Sequence, residues 1–245
     1  MKLTFMGTAG ARFMVAKQLA ASGGLYLEEG DTRISLDPGP GAIVQYAKRK
    51  VDLTKLDAIV LSHRHLDHSG DVNVMIEAMT EGGFHKRGKL YCPADALDED
   101  PVVLNYLRRF PSEIIKLSPE TSYSVGAIDF TTSPRHVHQS ETYGFRFGAK
   151  LGWITDSAYY DGIAEQHKAE VMVIHVVLMQ CRADLPHLCL EDAERIIREA
   201  KPRLAILTHY GMTVWRAHPW EIAADLTQRI GTEVKAARDG MALEI

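Results

Sequence analysis

The chain has 245 residues, 24% of them charged and 46% hydrophobic, with a formal net charge of −4, the balance of an ordinary globular protein with a sizeable core. Mild acidity argues against general nucleic-acid binding, which needs clustered Lys and Arg to neutralise phosphate. The cysteines Cys92, Cys181 and Cys189 are odd in number and form no CxxC pair, which argues against a disulfide framework or zinc knuckle and fits a reducing cytoplasm. No signal-peptide pattern follows Met1, and the most apolar stretch, Val171 to Met179, is too short to span a bilayer.

Short strands joined by glycine turns are expected at Lys2 to Met6, Gly24 to Glu28 and Arg33 to Asp37, and Asp37-Pro38-Gly39-Pro40-Gly41 reads as a strong turn. Ala42 to Lys50 predicts a helix, Asp57 to Ser62 a buried strand, and Gly70 to Thr80 another helix. Strands are then expected near Lys89 to Cys92, Glu113 to Leu117, Ile128 to Thr132, Tyr143 to Phe147 and Leu151 to Thr155, with a helix at Pro101 to Arg109. A short helix follows Asp156, and the strand around Val171 comes next. Ala193, Ile196, Ile197 and Ala200 share one face of an amphipathic helix over Glu191 to Ala200, which Pro202 ends. Arg203 to Thr208 predicts a further buried strand and Pro219 to Gln228 a final helix. Apolar strands of this kind call for layers on both faces of a sheet. No linker or repeat divides the chain, so one domain is expected over residues 1–245.

The chemistry concentrates in His63-Arg64-His65-Leu66-Asp67-His68, directly after a buried strand. Imidazole nitrogen and carboxylate oxygen are the usual ligands of zinc and similar divalent metals. Four such groups in six residues point to a metal site rather than a solvated loop. If the run stays extended, His63, His65 and Asp67 project together and His68 points elsewhere, toward a second centre. Asp67 also precedes a helix, where a carboxylate complements the helix dipole without any metal.

That run resembles the signature of the metallo-β-lactamase superfamily, and further pieces follow in order. Asp37-Pro38-Gly39 resembles the family's turn before its first helix. His138, six residues before Gly144, resembles the third histidine of the ribonuclease Z-like branch. Asp156 resembles the bridging aspartate and His209 the last ligand. The resemblance covers roughly residues 1 to 215. It implies an α/β fold, a four-layer αββα sandwich, with the site at one edge between two halves. It also implies that His63, His65 and His138 hold one metal, that Asp67, His68 and His209 hold the other, and that Asp156 bridges them. The expected cofactor is two divalent ions, zinc by the histidine content, with manganese or iron as alternatives.

The catalytic candidates are His187 and Asp67. His187 stands 22 residues before His209, an offset that resembles the ribonuclease Z-like histidine beside the metals, where it could protonate a leaving oxygen or steady the phosphate. A helix-capping or surface role is its alternative. His136 competes with His138 and would otherwise lie behind the ligands, face substrate or lie on the surface. His175, inside an apolar strand, reads as buried and hydrogen-bonded. His85, His167 and His218 read as surface residues. Where ribonuclease Z carries His-Glu-Ala-Thr, this chain has His175-Val176-Val177-Leu178, so that enzyme's glutamate is absent.

Four readings stay open. A hydrolase cutting a small or cyclic phosphodiester is favoured. A tRNA 3′-processing endonuclease would need a basic, glycine- and proline-rich arm that the sequence does not offer. A hydrolase of another ester, thioester or lactone, and a non-enzymatic metal-binding protein, complete the set. The expected partner is therefore a small-molecule phosphodiester or ester, with RNA not favoured, no membrane, and a homodimer open. The expected location is cytoplasmic.

Overall fold

The computed structural model describes residues 1–98 and 100–245. In chain order the elements are β1 (Lys2–Phe5), α1 (Ala11–Lys17), β2 (Leu25–Glu29), β3 (Thr32–Leu36), α2 (Ala42–Lys48), β4 (Ala58–Val60), α3 (Leu66–Ser69), α4 (Val72–Thr80), β5 (Lys89–Cys92) and β6 (Glu113–Lys116). The second half adds β7 (Ser122–Val125), β8 (Ile128–Thr132), β9 (Phe145–Phe147), β10 (Leu151–Ile154), α5 (Ile163–Gln166), β11 (Val171–His175), α6 (Leu190–Ala200), β12 (Leu204–Thr208), α7 (Met212–Arg216), α8 (Pro219–Ile230), β13 (Glu233–Ala236) and β14 (Ala242–Glu244).

Two seven-stranded mixed sheets form, ordered β14-β1-β2-β3-β4-β5-β6 and β13-β12-β11-β10-β9-β8-β7. Strand alternation sorts each side chain to one of two faces. Leu3, Phe5, Ala58 and Val60 from the first sheet meet Phe130, Trp153, Val171, Val173 and Ile206 from the second in one buried core. Their neighbours Ile59 and Leu61 face α4 through Met75, Ile76 and Met79. On the other sheet, Met172 and Ile174 face α6 through Ala193, Ile196 and Ile197. The result is the expected helix–sheet–sheet–helix sandwich. No helix among the described residues is long and apolar enough to cross a membrane.

Local expectations fail where the chain makes contacts that a one-dimensional pattern omits. Pro101 to Arg109 is not a helix; it holds only a 3-10 turn at Asn105–Leu107. The amides of Val102 and Val103 turn back onto the Ala96 carbonyl, and Leu104 is extended. The first third is not all strand, because α1 forms after Gly10. His65 is extended, but Leu66–Ser69 forms a helical turn, so the metal-site run does not stay extended. His167 is fully buried rather than on the surface. Its Nδ1 lies 2.9 Å from the Ile163 carbonyl oxygen, and the missing side chains of Gly144 and Gly152 make room for it. Finally, Cys181 and Cys189 are joined by a disulfide, their α-carbons 5.0 Å apart, a pairing that spacing alone did not suggest. Cys92 stays free and buried.

Candidate metal centre

The candidate ligands emerge from the ends of strands. β4 runs into Ser62 and His63, β8 into the segment carrying His136 and His138, β10 into Thr155 and Asp156, and β12 into His209. In β10, β11 and β12, Ile154, Ile174 and Leu207 stand side by side in parallel register. Asp156, His175 and His209 therefore arrive at the same edge of the sheet. Side chains at such edges face the opening between layers, where ligands bind in α/β folds.

Three of the predicted ligands converge through ring nitrogens. His65 Nδ1 lies 3.2 Å from His63 Nε2 and 3.1 Å from His138 Nε2. The outer nitrogens are tied back to oxygens: His63 Nδ1 is 3.0 Å from Ser62 Oγ, and His138 Nδ1 is 3.0 Å from the Pro186 carbonyl oxygen. Such outer partners fix the tautomer and aim the inner lone pair. Burial, then neighbouring His68, holds His63 well below the ordinary imidazole pKa. Burial also lowers His65 and His138. The three rings are thus held neutral, the form that donates a lone pair to a metal.

The other predicted ligands form a second group around two carboxylates. Asp156 Oδ2 is 3.5 Å from His68 Nε2, and Asp156 Oδ1 is 3.3 Å from His209 Nδ1. Asp67 Oδ2 is 3.4 Å from His209 Nε2 and 3.8 Å from His68 Nε2. Burial opposes the charge of Asp156, yet His209, His187 and His68 outweigh it and keep this carboxyl ionised well below the usual range. Burial likewise opposes charge on His68, but Asp67 and Asp156 hold its pKa well above the ordinary value. Asp67 therefore does not project alongside His63 and His65, as it would in an extended run. The helical turn sends Asp67 toward His209 and His68, while His63 and His65 face His138.

His187 lies at the mouth of the cluster, 18% exposed, its Nδ1 3.4 Å from Asp156 Oδ2 and its ring 5.0 Å from that of His138. His136 sits behind the cluster rather than in it. It is buried, its Nδ1 3.3 Å from the Asp156 backbone carbonyl oxygen and its Nε2 3.4 Å from His167. His175 is buried with Nδ1 3.1 Å from Asp156 Oδ1, and its ring stacks on His209 at 4.4 Å. Burial, followed by His209, pushes its pKa down to about 3, so its neutral ring can donate a hydrogen to the carboxylate.

Several positioning groups escaped the sequence reading. Asp37, legible only as part of a turn, accepts from the Ser62 amide and hydroxyl, each at 2.6 Å, and its Oδ2 is 3.0 Å from His68 Nδ1. The Ala11 amide donates to Asp67 Oδ2 at 3.0 Å. Ala11 itself has a φ of 61°, the left-handed region that L-residues disfavour. Gly10 is required sterically, since a β-carbon there would run into the His209 ring. The signal available beforehand was the pair of glycines flanking Thr8-Ala9, whose partner in space could not be read.

These residues fit divalent metal ions. His68 Nε2, both ring nitrogens of His209 and His187 Nδ1 are buried and lack a hydrogen-bond partner, which is costly unless something else binds them. Two nitrogens on one tetrahedral zinc at about 2.1 Å each stand about 3.4 Å apart, close to the spacing within the histidine trio. The donors are all imidazole or carboxylate, suited to zinc and its neighbours rather than to soft or alkaline-earth ions.

The fold and this cluster define a metallo-hydrolase. A model of the β-lactamase superfamily domain matches residues 32–210, and the chain belongs to that superfamily. A Methanocaldococcus jannaschii protein is 27% identical across the whole chain and 95% of its own length. The probable metallo-hydrolase YhfI of Bacillus subtilis is 27% identical over 85% of the chain and 86% of its own. The crystal structure of YhfI superimposes over 100% of this chain and 99% of its own with a TM-score of 0.80 at 22% identity. A diphosphatase of the PhnP family superimposes over 100% and 97% with a TM-score of 0.76 at 20% identity. The short form of human tRNase Z does so over 100% and 99% with a TM-score of 0.73 at 17% identity.

Proposed function

We propose that this chain is a two-metal phosphodiesterase acting on a small or cyclic phosphodiester. The observation that carries this reading is the position of Asp156. Its carboxylate lies within ligand reach of the His68 and His209 group, and also of His138 and His187. It is therefore placed to join a site made of His63, His65 and His138 to one made of Asp67, His68 and His209. Structural likeness to a diphosphatase and to tRNase Z supports phosphate chemistry.

When bound, two ions would supply the Lewis acidity that activates water and offsets charge on a phosphoryl group. The chain's own groups do the rest. Asp37, Ser62 and the Pro186 carbonyl fix the rings that hold the ions. His175 and the Ala11 amide fix Asp156 and Asp67. Asp67 thereby acts as a ligand that also orients the reacting centre. Burial lowers the pKa of His187 against the opposing pull of Asp156. At neutral pH it is therefore a neutral ring, able to hold the leaving oxygen through its N–H.

Zinc is the metal proposed, a small phosphodiester the substrate, and the cytoplasm the location. A panel of bis(p-nitrophenyl) phosphate, a cyclic nucleotide, a thioester, a lactone and a precursor tRNA, run with metal analysis on one preparation, tests the reading. Chelator-sensitive hydrolysis of the two phosphodiesters is expected, at two metals per chain. Turnover of only the thioester or lactone, or cleavage of only the tRNA trailer, would replace it.

A further inference from the structure

The disulfide between Cys181 and Cys189 encloses His187. Between Leu178 and Leu190 the chain leaves the sheet as an irregular arm, and its base is closed by the paired backbones of Leu178 and Cys189. Within the arm the order comes from short turns, Leu185 N to Arg182 O at 3.2 Å and His187 N to Leu185 O at 2.8 Å, and from an exposed Arg182–Asp184 ion pair, which contributes little in water. Two of its groups touch the metal-binding cluster: the Pro186 carbonyl at His138 Nδ1 and the His187 ring beside Asp156. The sulfur bridge ties Cys181, near the base of this arm, to Cys189 at the start of α6.

We propose that Cys181 and Cys189 are a reversible thiol–disulfide couple whose oxidised form holds the arm, and with it His187, against the metal-binding cluster. The inference rests on the reading of His187 given above. The two sulfurs differ in the way exchange chemistry requires. Cys181 is exposed, whereas Cys189 is fully buried. Cys189 is also the N-cap of α6, where its sulfur accepts from the backbone of Asp192. A helix N-terminus stabilises a thiolate and so makes it a good leaving group.

In the reducing direction, a low-molecular-weight thiolate attacks Cys181 Sγ. The bridge breaks, a mixed disulfide forms on Cys181, and Cys189 leaves as thiolate. A second thiolate attacks the external sulfur of that mixed disulfide and releases Cys181. The two electrons come from two external thiols, which end as one disulfide, and the two protein thiolates take up the protons. Oxidation by a low-molecular-weight disulfide runs the same steps backward. Cys181 and Cys189 are positioning residues here, acting through Pro186 and His187.

The test uses the metal-loaded protein equilibrated with excess reduced or excess oxidised glutathione as the probe. Native alkylation and intact mass count the pair, since Cys92 is buried and burial pushes its thiol up to about 12. Hydrogen exchange of residues 179–188 and kinetics on bis(p-nitrophenyl) phosphate give the consequences. Reduction is expected to speed exchange in the arm and to lower kcat about tenfold at unchanged metal content and KM, the size of effect small misplacement produces. Cys181→Ser and Cys189→Ser, the latter keeping a capping oxygen, should match the reduced protein in either buffer. A pair that stays reduced in excess disulfide overturns the proposal, as does a bridge that alters neither exchange nor kcat. If exchange in the arm responds while neither state hydrolyses any phosphodiester, the couple stands and the phosphodiesterase reading fails.

Discussion

The first sheet delivers His63, His65, Asp67 and His68 in six consecutive residues after one strand, β4, whereas the second delivers His138, Asp156, His175 and His209 singly from four strand ends. In the first case one helical turn at Leu66–Ser69 sorts the side chains into two directions. In the second, parallel register among β10, β11 and β12 brings them together. A register slip of one residue would turn those side chains to the other face. A local run thus tolerates change in distant packing better than a set assembled across strands, and Asp156 belongs to the more fragile set.

The sharpest way to break this comparison is Asp156→Asn against His65→Ala. Asp156 faces both groups, so its loss should remove bound metal from both and lower kcat/KM by on the order of 10³-fold or more. His65→Ala should leave one metal in place. Metal analysis showing equal losses would mean that Asp156 does not join two sites. Next in size, His187→Ala should cost about 10²-fold in kcat while both metals stay bound; unchanged kcat would remove His187 from the chemistry. Asp37→Asn, which weakens the grip on His68 from outside the cluster, should cost roughly 10–100-fold in metal affinity, read by chelator competition.

The smallest effect on catalysis, and one confined to the second sheet, concerns His167. Burial pushes its pKa down from 6.5 to about 4. Its neutral form is the one the fold stabilises. Its contribution is therefore complete above pH 6.5 and is lost as the pH falls through about 4. By linkage the loss amounts to about 3 kcal/mol. Denaturant unfolding between pH 7 and 4 should show a shallower decline in His167→Gln than in the parent. Parallel declines would mean that the ring is not the source.

The cost of assembling the centre is visible in the same cluster. Buried imidazole nitrogens without partners destabilise a fold, and here they crowd one edge while the rest of both sheets is tightly apolar. Metal binding to the native state alone would recover that loss by mass action, so metal removal should lower thermal stability as well as activity.

Much of the site was legible because zinc-type ligands are rare residues in short spacing, and because Asp156 and His209 directly follow apolar strands. The four layers were legible from strands too apolar to face water. Asp37 was not, since a turn aspartate looks the same whether it caps a loop or steers His68. His167 and His136 were not, since a histidine's burial depends on glycines at 144 and 152 that approach it only in space. The Cys181–Cys189 pairing was not, since it follows from an arm doubling back on the start of α6.

What the sequence by itself determined is the chemistry on offer: which residues can bind a divalent metal, and which strands must be buried to carry them. Only the tertiary structure decided their partition, with His63 and His65 turned to His138, Asp67 and His68 turned to His209, and Asp156 between the two. The reason is that ligand type is a property of single residues, whereas convergence to within 4 Å depends on strand register, one helical turn and the packing of two sheets.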